Sequence, residues 1–154
     1  MSANGVRVLS GLFIIFAGLF GAAGVAGAAL AAHVAGNERF VAIAASMALI
    51  HAPALLGLAA VLPRAPKLLG LAGVAAIVGV VLFSGDLGTR AATGASLFAN
   101  AAPTGGMMLI AAWLLVTVAG VLALFSRGKV GHGVTGGNEA GPLPSAPRIE
   151  GVTR

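Results

Sequence analysis

Hydrophobic residues fill four long stretches of the chain, and short polar segments separate these stretches. They cover residues 8–32, 40–62, 68–85 and 103–126, and none of them contains Lys, Arg, Asp or Glu. A helix needs about 20 apolar residues to cross the roughly 30 Å hydrocarbon core of a bilayer. The first, second and fourth stretches exceed this length, and the third nearly reaches it. The pattern predicts four transmembrane helices, over about residues 8–33, 40–62, 67–88 and 103–126.

The connections between the predicted helices are short. A polar segment at residues 36–39 follows the first helix, and Pro63 and Pro66 interrupt the chain after the second, because proline removes a backbone donor and disfavours helix in the preceding residue. Residues 91–102 are too short and too polar to span, so we expect a surface loop or a short interfacial helix there, before Pro103 in the first turn of the fourth helix. Short connections make successive helices antiparallel neighbours, which predicts an all-α, up-down four-helix bundle.

The residues beyond the fourth helix differ in composition from the rest of the chain. Residues 127–154 are rich in Gly and Pro and offer too little apolar surface to bury, so we expect a disordered cytoplasmic tail. Residues 1–126 are predicted to form one four-helix membrane domain. The first apolar stretch is longer than the about 7–15 residues of a signal-peptide core, which favours a retained helix over a cleaved signal.

The composition agrees with a membrane protein and excludes several other classes. Hydrophobic residues make up 58% of the 154 residues and charged residues 8%, whereas soluble domains contain about 25% charged residues. The chain has no cysteine, which excludes disulfides, thiolate metal sites and iron–sulfur clusters. The net charge is +5, but the basic residues are scattered without a basic stripe, so nucleic acid is not an expected partner.

The basic residues near the predicted helix ends are distributed unevenly. One end of the predicted bundle has five of them and the other end has two: Arg7, Arg64, Lys67, Arg127 and Lys129 against Arg39 and Arg90. Because Lys and Arg accumulate in loops on the cytoplasmic side of a membrane, we expect both termini to be cytoplasmic.

Small residues recur along the first predicted helix. Gly18, Gly21, Gly24 and Gly27 follow one another at every third position, and small side chains allow helices to approach closely in lipid. Two interpretations stay open for these helix-packing glycines: packing within the protein's own bundle, or a surface that docks a partner protein or a flat cofactor.

His51 is the one readily titratable side chain inside the apolar stretches. It lies near the predicted bilayer midplane, where an ionisable residue suggests a function, and Pro53 leaves the Leu49 carbonyl without its usual donor. A proton relay or a ligand pocket is one interpretation, and a neutral histidine that donates a hydrogen bond to a neighbouring helix is the other. His33 lies at the end of the first helix, about half a bilayer away in depth, so we expect no haem shared by the two histidines.

Polar residues also collect where the third apolar stretch ends. Asp86 and Arg90 are spaced i, i+4 with the acid first, which is the favourable order for an ion pair on one helix face. Alternatively, they could rim an outward-facing polar site together with Glu38, Arg39 and Asn100. The candidate polar positions of the whole chain are, in order, His33, His51, Ser84, Asp86 and Arg90.

The chain lacks the motifs of common active sites. It contains no Gly-x-Ser-x-Gly, no His-Glu-x-x-His, no phosphate-binding glycine loop that ends in Lys-Ser/Thr, and no paired-glycine dinucleotide fingerprint before an acidic residue. We therefore expect no catalytic residues, no bound metal ion and no cofactor, and a protein without enzymatic activity.

Several short motifs, taken in order, resemble those of a small bacterial membrane family catalogued as domain of unknown function 423. They are Gly-Ala-Ala-Leu-Ala-Ala-His at residues 27–33, Ile-His-Ala at 50–52, Leu-Phe-Ser-Gly at 82–85, Ala-Pro-Thr-Gly-Gly at 102–106 and Ala-Trp-Leu-Leu at 112–115. The resemblance covers about residues 8–126 and implies a four-helix protein of the bacterial inner membrane with no established activity. The chain departs from the family pattern at Gly88, where tyrosine is usual, and at Asp86, where a small hydroxyl is usual.

The sequence leaves three hypotheses about function. The leading one is an accessory, assembly or structural subunit of a larger membrane complex, because the chain has few polar groups and many small-residue surfaces. Its expected partners are the lipid bilayer and either other membrane subunits or further copies of the chain. The alternatives are a transport or proton-conducting element that uses His51, and a binder of a hydrophobic ligand such as quinone or lipid.

Overall fold

The computed structural model describes residues 1–33 and 35–126. Within them the chain forms α1 (Ala3–Ala31), α2 (Glu38–Val61), α3 (Pro66–Thr93) and α4 (Ala101–Ser126), with a 3₁₀ turn at Leu62–Arg64. The tail predicted at residues 127–154 lies outside the described residues, and so do two of the five basic residues counted at one end of the bundle.

All four helices are long and apolar enough to cross a membrane. The spans contain 25 to 29 residues, and their most apolar segments have a mean hydropathy between 2.0 and 2.6. At 1.5 Å per residue, the shortest span extends about 37 Å, which exceeds the roughly 30 Å of hydrocarbon in a bilayer. The prediction of an all-α protein with four helices able to cross a membrane is confirmed.

α1 begins earlier than the hydrophobic pattern predicts. The hydroxyl oxygen of Ser2 accepts a hydrogen bond from the backbone N–H of Gly5, at 3.2 Å. A serine in this position satisfies one of the free N–H groups at the start of a helix. The helix therefore starts at Ala3, five residues before the apolar stretch that begins at residue 8.

α3 extends past its predicted end at residue 88 and reaches Thr93. The hydroxyls of Thr89 and Thr93 each donate to a carbonyl one turn earlier in the helix, at 2.8 Å, so these polar side chains are satisfied without leaving it. Gly94 then ends the helix with a left-handed φ of 75°, and its N–H donates to the Arg90 carbonyl at 2.9 Å. Glycine adopts this conformation without the steric cost of a side chain.

Successive helices are antiparallel neighbours. α1 packs on α2, α2 on α3 and α3 on α4, and α1 meets α3 at only a few positions. Within the described chain, α1 and α4 share no packed interface. The order of neighbours is that of the predicted up-down bundle, but the ring of helices is not closed. We call the end with Ser2 and the 3₁₀ turn the terminal end, and the end with the connections at residues 32–37 and 94–100 the loop end.

Glycines determine how closely the helices approach. A Cβ atom on Gly73 of α3 would overlap the ring of Phe13, which extends from α1 and is fully buried. A Cβ on Gly105 of α4 would lie 2.6 Å from the backbone nitrogen of Phe83 and 2.8 Å from the carbonyl oxygen of Gly79, both on α3. α3 and α4 therefore meet backbone against backbone, and glycine is the residue that fits their crossing.

Candidate functional site

Two polar side chains are buried in the described part of the chain, His51 on α2 and Asp86 on α3. Among the described residues, no group of three or more His, Cys, Asp or Glu side chains could hold a metal ion. Buried polar groups need hydrogen-bond partners, so the partners of these two side chains show what each one does.

Asp86 is bonded through both carboxylate oxygens. Its Oδ2 accepts from Nε of Arg90 at 2.7 Å, so the spacing that predicts an ion pair does produce one, with the Arg90 side chain 40% exposed. Its Oδ1 accepts from the backbone N–H of Leu97 at 2.7 Å, and the backbone N–H of Ala102 also interacts with the carboxylate. A negative charge at the start of α4 is favoured by the helix dipole. Through its contacts with Leu97 and Ala102, Asp86 thus connects the loop at 94–100 and the start of α4 to α3.

The polar groups nearby also hold segments together. The hydroxyl of Ser84 on α3 donates to the Ala44 carbonyl of α2 at 3.0 Å. The side-chain amide of Asn37, in the first connection, donates to the Ala91 carbonyl at 3.0 Å. In the described chain the ion pair of Asp86 does not extend to Glu38 or Arg39. The partners in these bonds are backbone groups. The sequence therefore does not indicate which residues supply them.

His51 forms its hydrogen bond within its own helix. Its Nδ1 lies 2.8 Å from the carbonyl oxygen of Met47, one turn earlier in α2. The prediction of a bond to a neighbouring helix is therefore wrong, because the i−4 carbonyl lies within reach of the ring, as it does for serine and threonine side chains in helices. A carbonyl oxygen only accepts, so Nδ1 carries the hydrogen, and in this tautomer Nε2 is an acceptor.

The second nitrogen of His51 has no partner. The side chain is 4% exposed, and Nε2 is the one buried side-chain nitrogen or oxygen without a hydrogen bond in the described chain. The ring of Trp113 on α4 is its aromatic neighbour, with centroids 6.1 Å apart and planes at 59°. An unsatisfied buried acceptor costs about 1–3 kcal/mol. Nε2 is therefore a group that the protein's own contacts leave unused.

His33 is not close to His51. It lies just past the end of α1, where its backbone N–H donates to the Leu30 carbonyl at 2.9 Å, and it is exposed. Gly21 of α1 faces Ala52 of α2, so His51 is level with a part of α1 about eleven residues before His33, or about 17 Å along the helix.

The four glycines predicted for helix packing have different surroundings. A Cβ on Gly24 would lie 2.5 Å from Leu49, and one on Gly27 would lie 3.0 Å from Ala45, so both glycines sit tightly against α2. Gly21 has ordinary contact distance to α2, at 3.8 Å. Gly18 is exposed and faces open space. The row turns around the helix, so its members do not share one contact.

Apolar grooves run along the outside of the helices. Two of them follow α4 towards the terminal end and share Val61 and Val116, and we call this continuous depression the α4 groove. Its inner part, of roughly 280 Å³, includes Trp113. Its outer part, of roughly 600 Å³, lies between α4 and the start of α3 and includes Arg64. A third groove, of roughly 400 Å³, lies nearer the loop end and is lined mostly by alanine and glycine, with Ser84 among them.

Comparison with known proteins gives one match. A family model described as "Protein of unknown function (DUF423)" matches residues 9–106, which extend from α1 to the first turns of α4. No curated protein and no solved structure matches the chain.

Proposed function

The chain belongs to the DUF423 family, and we propose that it is a membrane protein without enzymatic activity, an accessory, assembly or structural subunit of a larger membrane complex. The function of this family is unknown, so membership assigns no activity to the chain. The observation that carries the proposal is that the described chain buries only His51 and Asp86 as polar side chains, on different helices. Both carboxylate oxygens of Asp86 are bonded, so among the described residues no group of buried polar side chains converges where chemistry could occur.

The outer helices supply the surfaces for such a role. α1 packs mainly on α2, and α4 mainly on α3, so most of each outer helix faces away from the protein. Large apolar side chains are exposed along both, as at Ile15 and Leu114, which are each 60% exposed. In a bilayer these faces meet either lipid or another transmembrane helix. Because helix association in lipid depends on shape and close packing, they are the surfaces on which partner subunits would dock.

The protein's own cysteine-free sequence allows a clean test by cross-linking. We expect Ile15→Cys and Leu114→Cys, each carrying a photoreactive cross-linker, to give products of discrete mass with other subunits in native membranes. Leu71→Cys is the matched control, since it is 58% exposed but lies on the central helix α3. Products with lipid alone, or with a second copy of the chain alone, would contradict the proposal.

A specific observation favours a second candidate, a binder of a hydrophobic ligand such as quinone or lipid. Nε2 of His51 is an acceptor without a donor, and Trp113 lies both beside this ring and in the α4 groove. A ligand with a hydroxyl group, such as the reduced quinol form of a quinone or a lipid that carries a hydroxyl, could enter along the groove and donate to Nε2. Extraction and mass spectrometry should then find a stoichiometric ligand on the native protein and none on His51→Leu. Equal ligand content in both proteins would exclude this candidate.

The transport alternative has less support. It needs a polar path from His51 to the loop end, where Asp86 is held by Arg90 and Leu97. Ser84 lies between these depths, but its hydroxyl is used by the Ala44 carbonyl. A flux in liposomes that His51→Ala abolishes would reverse this ranking.

We further place the protein in the bacterial inner membrane with both termini in the cytoplasm. The basic residues support this orientation, because Arg7, Arg64 and Lys67 belong to the terminal end while Arg39 and Arg90 belong to the loop end.

A further inference from the structure

The α4 groove has the length of one leaflet. Along α2 and the 3₁₀ turn it extends from Ala54, level with Trp113, to Arg64 at the terminal end. These ten residues span about 15 Å at 1.5 Å per residue, which is half of the roughly 30 Å hydrocarbon core. Its inner walls are apolar, with alanine, glycine, leucine and valine beside the tryptophan. A single acyl chain fits both the depth and the chemistry of this groove.

The charges at the mouth of the groove are of one sign. Both acidic side chains of the described chain, Glu38 and Asp86, belong to the loop end. At the terminal end, Arg64 lines the groove and is exposed, and it has no ion-pair partner among the described residues. Lys67 is exposed in the first turn of α3 nearby. An anionic headgroup at this mouth would meet basic side chains without a competing carboxylate from the described residues.

We propose that the α4 groove is a binding site for an anionic phospholipid, with the phosphate at Arg64 and one acyl chain along the groove as far as Trp113. Basic pockets between transmembrane helices are a recurrent way to hold acidic lipids. The aligned peptide dipoles at the start of α3 add positive partial charge beside Arg64, and no side-chain cap from Ala65 occupies the first N–H groups. This site does not depend on whether the chain also has a protein partner.

The single tryptophan of the chain reports on the groove directly. The purified full-length protein is placed in phosphatidylcholine bilayers that contain a small fraction of phosphatidylglycerol with brominated acyl chains, and the quenching of Trp113 fluorescence is measured. The same fraction of brominated phosphatidylcholine gives the quenching expected from random contact. We expect brominated phosphatidylglycerol to quench severalfold more at equal mole fraction, because it occupies the groove preferentially.

Two pairs of variants separate the headgroup contact from the acyl-chain contact. Arg64→Gln should lower the quenching by brominated phosphatidylglycerol to that of phosphatidylcholine, while Arg7→Gln removes the same charge at the same end, outside the groove, and should leave it unchanged. Gly57→Leu places a side chain in the groove where a Cβ meets no atom within 4 Å, and should remove the preference with Arg64 intact. Gly18→Leu, equally open but on α1, should preserve it.

Three outcomes would overturn the proposal. One is equal quenching by the two brominated lipids in the unmodified protein. The second is a preference that survives Arg64→Gln, or falls equally in Arg7→Gln, because the headgroup is then attracted by overall charge and not by the groove. The third is quenching that disappears as the protein-to-lipid ratio rises, which would mean that a second copy of the chain occupies the groove. Arg64 is exposed, so its replacement leaves a folded protein for the decisive comparison.

Discussion

The carboxylate of Asp86 joins three segments of the chain. It accepts from Arg90 on its own helix and from the backbone of Leu97 in the connection to α4, and it interacts with the backbone N–H of Ala102 at the start of α4. Hydrogen bonds that involve an ionised group are shorter and stronger than neutral ones. The position of α4 at the loop end therefore depends on this side chain.

We expect Asp86→Asn to lower the midpoint of thermal unfolding by several degrees and to expose the Leu97 amide to hydrogen exchange. An asparagine oxygen can accept one N–H but offers no charge to the Arg90 guanidinium. Exchange mass spectrometry of residues 94–100 measures the local effect. Glu38→Gln is the control, because this carboxylate belongs to the same end and makes no ion pair with a described residue. Unchanged protection of Leu97 in Asp86→Asn would contradict the assignment.

We expect His51→Leu to unfold at the same temperature as the unmodified protein or at a higher one. The replacement loses a bond to a carbonyl of the same helix and removes a buried acceptor that has no donor, whose cost is about 1–3 kcal/mol. Leu55→Ala, one turn away and fully buried, should lose about 2–5 kcal/mol. Thermal unfolding in detergent compares the two. A loss for His51→Leu as large as that for Leu55→Ala would show that the histidine stabilises the fold.

At this scale the sequence predicts the side-chain ion pair that one helix places together, but it misses bonds from these side chains to backbone groups, both across the fold and within one helix. The i, i+4 spacing indicates the ion pair of Asp86 with Arg90. The Leu97 amide lies eleven residues away and is a backbone group that any residue except proline could supply. For His51 the interpretation of a bond to a neighbouring helix is wrong, since the ring bonds to the Met47 carbonyl of its own helix. The depth of a residue in the bilayer gives no information about which carbonyl its side chain reaches.

The helices differ from their predicted bounds where polar residues are satisfied locally. Ser2 caps α1 ahead of its apolar stretch, and threonine back-bonds carry α3 to Gly94. The central apolar lengths were predictable because a span must cover the hydrocarbon. The faces through which the helices contact one another could not be predicted from the sequence. These helices are apolar on all sides, so no amphipathic stripe indicates which face packs against a neighbour.

The crossing of α3 and α4 gives a prediction about elements. We expect Gly105→Ala to destabilise the protein by about 1–3 kcal/mol, as overpacking does, because its Cβ would meet the α3 backbone at 2.6 Å. Gly106→Ala is the matched control, since its Cβ would lie 3.8 Å from the Phe83 ring and alanine favours helix over glycine. Unfolding in detergent followed by circular dichroism measures both. Equal stability of the two variants would mean that the crossing tolerates a wider separation.

Two features belong to the whole molecule: α1 and α4 do not pack together to close the bundle, and the basic side chains of the described chain outnumber the acidic ones at the terminal end. The open row of helices leaves much of α1 and α4 unpacked within the described chain. The short connections do not predict this, since they fix the order of neighbours and not the closure of the ring. The described terminal end has basic side chains and no acidic one, which supports a cytoplasmic location for that end.

The orientation can be tested by labelling single cysteines with a membrane-impermeant thiol reagent. We expect Ser96→Cys, in the connection before α4, to react in intact spheroplasts, and Pro63→Cys, in the 3₁₀ turn, to react only after lysis. Both positions are exposed, so access to the reagent depends on the side of the membrane. The reverse pattern would place the termini outside.

The proposed role as a subunit is tested most directly by native mass spectrometry of the particle released from native membranes in mild detergent. The account predicts a complex heavier than the 14.9 kDa chain, with other membrane subunits present at a fixed stoichiometry. A lone chain that carries only lipid, under conditions in which other complexes from the same membranes stay intact, would contradict it.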